Sequence, residues 1–439
     1  MTEGIMDNKM ETDAQKRASW VRKCIYFAAG MAGLLFGLDQ GVISGALPFI
    51  SQEWGLSSQE QEWVVSSMMV GAATGAIIAS FLARGIGRKK SLIIGASLFI
   101  VGCIGSGMAA NASMLIGFRL ILGLSVGILA AFLSDTAFSY TGDWRMMLTV
   151  IAIPAIILIL TVSRLPDSPR WLATKGRFAE ASKVLNSLHA SAKVAEEELA
   201  DIKDALKVKQ AGWHLFKTNK NVRRAVFLGV LLQAMQQFTG FNVIMYYSPK
   251  ILSLAGFSST EDQMIGTVLN GIVFTLSTFI AIGMVDKSGR KPALKIGFGV
   301  MALSMAAVGV CMSMLESGTA PAWVSYFAAV MTMVSIAGFG MSAGPIVWVL
   351  CSEIQPLKSR EFGIACSTMT NWITCAIVGA TFLSLVDTLG SAHTFWLYAF
   401  LNGFFIVLTM AFVPETKNVT LEQIEKNLMS GKKLRDIGC

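Results

Sequence analysis
Long apolar runs follow one another along almost the whole chain, and each can cross a membrane core of about 30 Å as a helix of roughly 20 residues. Eleven such runs are read at 24–50, 64–83, 91–110, 115–133, 147–165, 225–252, 264–284, 293–315, 323–350, 362–386 and 394–413. With 54% apolar and 15% charged residues among 439 and a mean hydropathy of +0.59, a water-soluble fold would have far more apolar surface than it could bury. The expected fold class is an all-α polytopic membrane protein, and the first run, which lacks a small-residue cleavage site, is expected to be a retained helix and not a signal peptide.

The net charge of +8 sits in a few loops, which argues against a nucleic-acid-binding face and for the positive-inside rule. Lys16, Arg17, Arg22 and Lys23 precede the first run, Arg84, Arg88, Lys89 and Lys90 follow the second, and Lys287, Arg290 and Lys291 follow the seventh. These loops are expected to be cytoplasmic. The turns with Glu53, Glu60 and Glu62, with Glu261 and Asp262, and with Glu316 carry no Lys or Arg and are expected outside. Between Trp171 and Arg224, eleven Lys or Arg and six Asp or Glu mark a polar helical linker. The division expected is a shortened N-terminal bundle at 1–165, a cytoplasmic linker at 166–223, a C-terminal bundle at 224–413 and a cytoplasmic tail at 414–439.

Seven cysteines at irregular spacing and three isolated histidines make neither a disulfide framework nor a metal ligand set, so no metal or cofactor is expected. No nucleophile with its base and no phosphate loop appears, which argues against an enzyme. Inside the apolar runs, however, Asp39 and Arg119 are ionisable, and a charge at bilayer depth is a pathway hypothesis by default. Gln233, Gln236, Gln237 and Asn242 interrupt a sixth run that is otherwise apolar, with Gly240 loosening it; Gly338, Gly340, Gly344 and Pro345 do the same before Trp348. Such amides either line a polar cavity or bridge helices.

An internal repeat is also visible. FGLDQGVISGALP, IGRKK and LPDSPRW in the first half match QQFTGFNVIMYYSPK, VDKSGRKP and VPETKN in the second. Asp39 and Gly87 are 48 positions apart and Asn242 and Gly289 are 47, but Gly87 to Pro166 takes 79 positions where Gly289 to Pro414 takes 125. The first half therefore lacks about one helical hairpin. If all eleven runs crossed, the cationic linker would fall outside, so segment 113–135 is read as the start of one helix fused to the end of the next.

Taken in order, GLDQGVISGALP, GRKK, PDSPRW, QQFTGFNVIMYY, VDKSGRKP, GPIVWVLCSEIQPLKSR and PETKN resemble the sugar porter family of the major facilitator superfamily over essentially the whole chain. Within it, RRAVFLGVLLQAMQQFTG and NLMSGKKLRDIG are most similar to bacterial inner-membrane members that carry L-arabinose with a proton, and next to those that carry galactose. The resemblance implies the major facilitator fold, with a fused helix 4/5 leaving about eleven spans in place of twelve, and with the sugar near the midplane between two bundles. It implies sugar contacts at Gln236, Gln237, Asn242, Tyr246, Phe274, Trp348 and Asn371, proton coupling by Asp39 with Arg119, and a cytoplasmic gate at Gly87, Arg88, Asp286, Gly289, Arg290, Glu353 and Arg360. In the gate, ion pairs are expected to hold the two bundles together; the first half departs from the pattern in having Arg84 where the second has Asp286. The family's counterpart of the lost stretch carries a charged turn and a sugar-contacting glutamine. Proton-coupled import, most simply of L-arabinose, therefore competes with an inert or sensor-like deletion variant, a galactose or hexose symporter and a passive carrier. Proton, monosaccharide and lipid bilayer are the partners implied.

Overall fold
The computed structural model describes residues 41–123, 148–149, 152–189, 192–207, 212–318 and 320–438, and the regular elements among them are helical. In the first half these are α1 (41–54), α2 (Ser58–Gly85), α3 (Arg88–Gly107), α4 (Ala112–Gly123) and α5 (Ala152–Ser163). Ser57 starts α2 with a capping box, its hydroxyl accepting from the Glu60 N–H while its own N–H donates to the Glu60 carboxylate. Asp39 and the part of the fused segment beyond Gly123 lie outside the described residues.

Four short helices, α6 (Pro169–Thr174), α7 (Phe178–Leu188), α8 (Ala192–Lys207) and α9 (Gly212–Thr218), occupy the polar linker. Leu172, Ala181, Leu185, Ala195 and Ile202 give the linker a small core of its own.

The second half holds α10 (Lys220–Gln237), α11 (Phe241–Tyr246), α12 (Ser248–Leu254), α13 (Thr260–Ser288), α14 (Arg290–Glu316), α15 (Trp323–Gly340), α16 (Ala343–Glu353), α17 (Arg360–Gly379), α18 (Phe382–Leu389), α19 (Ser391–Phe412) and α20 (Leu421–Met429). Three of the apolar runs are thus broken helices. Among the described residues, six helices are long and apolar enough to cross a membrane. Their outward faces keep large apolar side chains uncovered, with Leu303 77%, Phe400 70% and Phe279 67% exposed, a pattern that suits lipid and not water.

The repeat is a structural one. Gly87 and Gly289 precede α3 and α14 with φ of 90° and 86°, a conformation that L side chains rarely adopt. Trp171 of PDSPRW packs over the first glycine, and Glu415 of PETKN lies over the second. The Glu415 carboxylate accepts the Arg290 and Lys291 N–H groups, each at 3.0 Å, so the second motif caps its helix.

The halves meet where α2 packs on α17 and α18. Glu62, only 3% exposed, reaches from α2 and accepts the Ser384 N–H and hydroxyl, both at 2.7 Å. A first-half carboxylate thus satisfies the open N-terminal turn of a second-half helix. Glu62, just past the acidic turn, is thus a buried bridge between the halves.

Candidate substrate cavity
The cavity is built where helices break. Gly240, between α10 and α11, has φ of 86°, and a Cβ there would meet the Tyr398 ring at 2.9 Å. The chain turns there as only glycine readily allows, leaving Gln236 and Gln237 at the end of one helix and Asn242 at the start of the next. Opposite, Ser342 separates α15 from α16, and Pro345 in the new first turn has no N–H to carry the preceding helix onward. The Gln236 Nε2 donates to the Ala343 and Gly344 carbonyls at 2.8 and 2.9 Å, tying the two breaks together.

From α17, the Asn371 Nδ2 donates to Gln233 Oε1 at 2.6 Å and to Gln236 Oε1 at 2.9 Å. The Asn242 Nδ2 donates to Gln237 Oε1 and, at 3.3 Å, to the Cys375 sulfur. Gln236, Gln237, Asn242 and Asn371 form one wall of a cavity of about 290 Å³. The other wall is aromatic: Phe241 stacks on Phe339 with ring centres 3.9 Å apart and meets Phe274 at 4.9 Å, while Trp348 and Trp372 complete the lining. A space of this size, at the lower end of small-molecule sites, joins hydroxyl-binding amides to flat apolar faces.

Gln236, Gln237, Asn242, Phe274, Trp348 and Asn371 all line this space. Tyr246 is not among its lining residues: it is fully buried, and its hydroxyl meets the Cys375 sulfur at 3.3 Å. Tyr246 lies one turn beyond Asn242 on the same helix face, but Cys375 covers it. Phe241, Thr278, Phe339, Trp372 and Cys375 were missed by sequence reasoning. Cys375, read as a packing residue, follows Asn371 by four positions on α17, a helix-face spacing that could have flagged it.

Arg119 is fully buried on α4, and its Nε donates to the Val64 carbonyl of α2 at 2.7 Å. Its expected partner Asp39 lies outside the described residues. Among the gate residues, the Arg290 guanidinium pairs with Glu353 at 2.9 Å, and Glu353 also accepts from the Thr416 hydroxyl at 2.6 Å. This pair joins α14 to α16 inside the second half, so it does not clamp one bundle to the other as the sequence reading expected; α14 and α16 are packed neighbours, and the guanidinium reaches its acid locally. Arg360 donates from Nε to the Gln355 carbonyl at 3.3 Å. Gly87 and Gly289 serve as the turns described above, while the Arg88 and Asp286 side chains lie outside what is described.

Broken helices around an amide-lined cavity in the second half, in an all-helical fold with lipid-facing apolar surfaces, define a membrane transporter of the major facilitator fold. The chain belongs to the sugar (and other) transporter family, whose model matches residues 25–134 and 124–428. It is 55% identical to the arabinose-proton symporter of Escherichia coli K12, with 94% of each chain covered, and 56% identical to the galactose-proton symporter of the same strain, covering 94% of this chain and 96% of that one. Among solved structures, the inward-open form of the xylose transporter XylE from E. coli is similar at a TM-score of 0.75 and 26% identity, with 92% of this chain and 98% of that one covered.

The comparisons also show that this chain is short of residues relative to the family. The two family matches overlap over 124–134, so both sides of the family pattern claim the same residues. The arabinose-proton symporter alignment runs over 444 positions, while 94% of this chain is about 413 residues, so roughly 30 positions of the relative face no residue here.

Proposed function
We propose that this protein is a carrier, without covalent chemistry, that imports a monosaccharide across the bacterial inner membrane by proton symport with alternating access, and that its first substrate is L-arabinose. The observation that carries the reading is the cavity, where four amides from α10, α11 and α17 face a wall of aromatic rings. Amides offer donors and acceptors to ring hydroxyls, and the aromatic faces cover the apolar C–H side of a pyranose. Ionised Asp39 is held by Arg119; protonation releases that pair and favours sugar binding and inward rocking. The parts are a first bundle at 1–165, a linker at 166–223, a second bundle at 224–413 and a tail at 414–439, with both termini cytoplasmic.

Uptake of labelled L-arabinose in cells lacking their own carrier tests this reading. Expected is uptake that a protonophore and Asp39→Asn both abolish at unchanged membrane level. Uptake that survives both would make the protein a passive carrier. A second reading, an inert or sensor-like deletion variant, is favoured by the family match that breaks at 124–134. Sugar binding without uptake at normal insertion is its signature.

Substrate size is set at Phe274. Its ring, 4.9 Å from Phe241, is a bulky apolar part of the cavity lining, which suits a pentose that lacks galactose's hydroxymethyl group. Phe274→Asn removes ring volume and adds an amide. Galactose uptake relative to arabinose is expected to rise about tenfold, the scale on which pockets discriminate small groups; an unchanged ratio in paired uptake assays would remove Phe274 from specificity.

A further inference from the structure
A second cavity, of about 330 Å³, lies between the start of α10, the end of α19 and the tail, lined by Arg224, Ala411, Phe412, Lys433, Leu434 and Arg435. We propose that it binds a phosphate monoanion, and specifically the headgroup of an anionic phospholipid.

The charge is one-sided. Three of the six lining residues are cationic and none is acidic. A fourth cation lies alongside, because the Lys291 Nζ donates to the carbonyl of Met410, the residue before Ala411, at 3.2 Å. Of the nearby acids, Asp436 pairs with the Arg435 Nε at 3.4 Å and offsets part of that cation's charge, while Glu415 is engaged in capping α14. Arg224 also fixes the shape of the site. It donates to Asn221 Oδ1 at 3.0 Å and to the Lys432 carbonyl, so the guanidinium that faces the cavity also holds the tail against α10.

The surroundings choose between the two sources of such an anion. Phe400, Phe404 and Val407 are 70%, 46% and 53% exposed and, with Ala411, follow one another at spacings of three or four residues along α19. They make an uncovered apolar track that ends in the cavity. On α10, Phe227 is 56% exposed three positions beyond Arg224. A cationic mouth at the end of apolar tracks matches a phosphate with acyl chains attached, and basic pockets at the cytoplasmic rim are where anionic headgroups are held. Free inorganic phosphate would use the cations and leave the tracks idle.

Native mass spectrometry of the full chain in detergent, titrated with phosphatidylglycerol, phosphatidylcholine or inorganic phosphate, tests this. Phosphatidylglycerol is expected to be retained at least tenfold more tightly than phosphatidylcholine. Lys433→Gln with Arg435→Gln should weaken that retention about 25-fold, at roughly fivefold per cation. Lys183→Gln with Lys203→Gln, the same charge loss in the linker, should leave it unchanged. Ala411→Asp, which places a carboxylate in the cavity and removes no cation, should weaken it as well, so a loosened tail cannot account for both results. Equal phosphatidylglycerol retention in the cavity variants overturns the proposal. Displacement of the lipid by millimolar inorganic phosphate, with no preference for lipid, would assign the site to a free anion and overturn it too.

Discussion

Oxidising a Ser66→Cys/Gly379→Cys double variant is expected to stop sugar uptake nearly completely, and reductant should restore it. Ser66 lies on α2 of the first half and Gly379 ends α17 of the second, and a Cβ placed on Gly379 would lie 3.9 Å from the Ser66 Cβ. That separation is within the range of real disulfides, whose Cβ atoms are about 3.5–4.5 Å apart. The contact sits beside the Glu62 bridge, at the end of the bundle that carries the acidic turn with Glu53 and Glu60. Alternating access needs this closure to open in every cycle, so a covalent bond across it holds one state. The five free cysteines among the described residues make single-cysteine variants and a mass-shift assay the necessary controls. Full uptake with a formed crosslink would show that the halves do not separate here during transport.

Gln236→Ala is expected to weaken sugar binding by about 1–3 kcal/mol, roughly 5- to 150-fold, with little change in membrane level. Gln236 is the amide that joins the two helix breaks, donating to Ala343 and Gly344 and accepting from Asn371. Its loss removes one hydroxyl partner and frees the neighbours that hold the cavity's shape. Trp348 and Trp372 line the cavity, so intrinsic fluorescence reads the titration directly. Gln236→Glu separates the two effects: it keeps an acceptor for Asn371 but loses the donors to the α16 carbonyls. Wild-type affinity in both variants would return these amides to the simpler role of bridging helices.

The breaks in the helices were legible because they need particular residues. Gly240 sits at positive φ between α10 and α11, and Gly344 with Pro345 marks the new first turn of α16. The amides beside those breaks stood out because an apolar run carries them only to line a polar cavity or to bridge helices. Helix boundaries were read within a few residues where charges bound them, as with 293–315 against Arg290–Glu316. The run 225–252 was read as loosened at Gly240 alone and is three helices, because the second break, at Tyr247, leaves the apolar run intact.

What the sequence by itself determined is the helical membrane architecture and the repeat with its two glycine turns; of the cavity residues, Gln236, Gln237 and Asn242 stood out as polar breaks in an apolar run, while Phe274, Trp348 and Asn371 were implied by the family resemblance. The architecture and the turns follow from length, charge placement and backbone chemistry, which act locally. Only the tertiary structure decided that Tyr246 stands behind Cys375, that Phe339 stacks on Phe241, that Arg290 finds Glu353 within its own half and that Glu62 bridges the halves. In a water-soluble protein, polarity separates the buried face of a helix from the exposed one. Here lipid and core are both apolar, so the pattern along a helix does not say which neighbour a side chain meets, and packing alone assigns it.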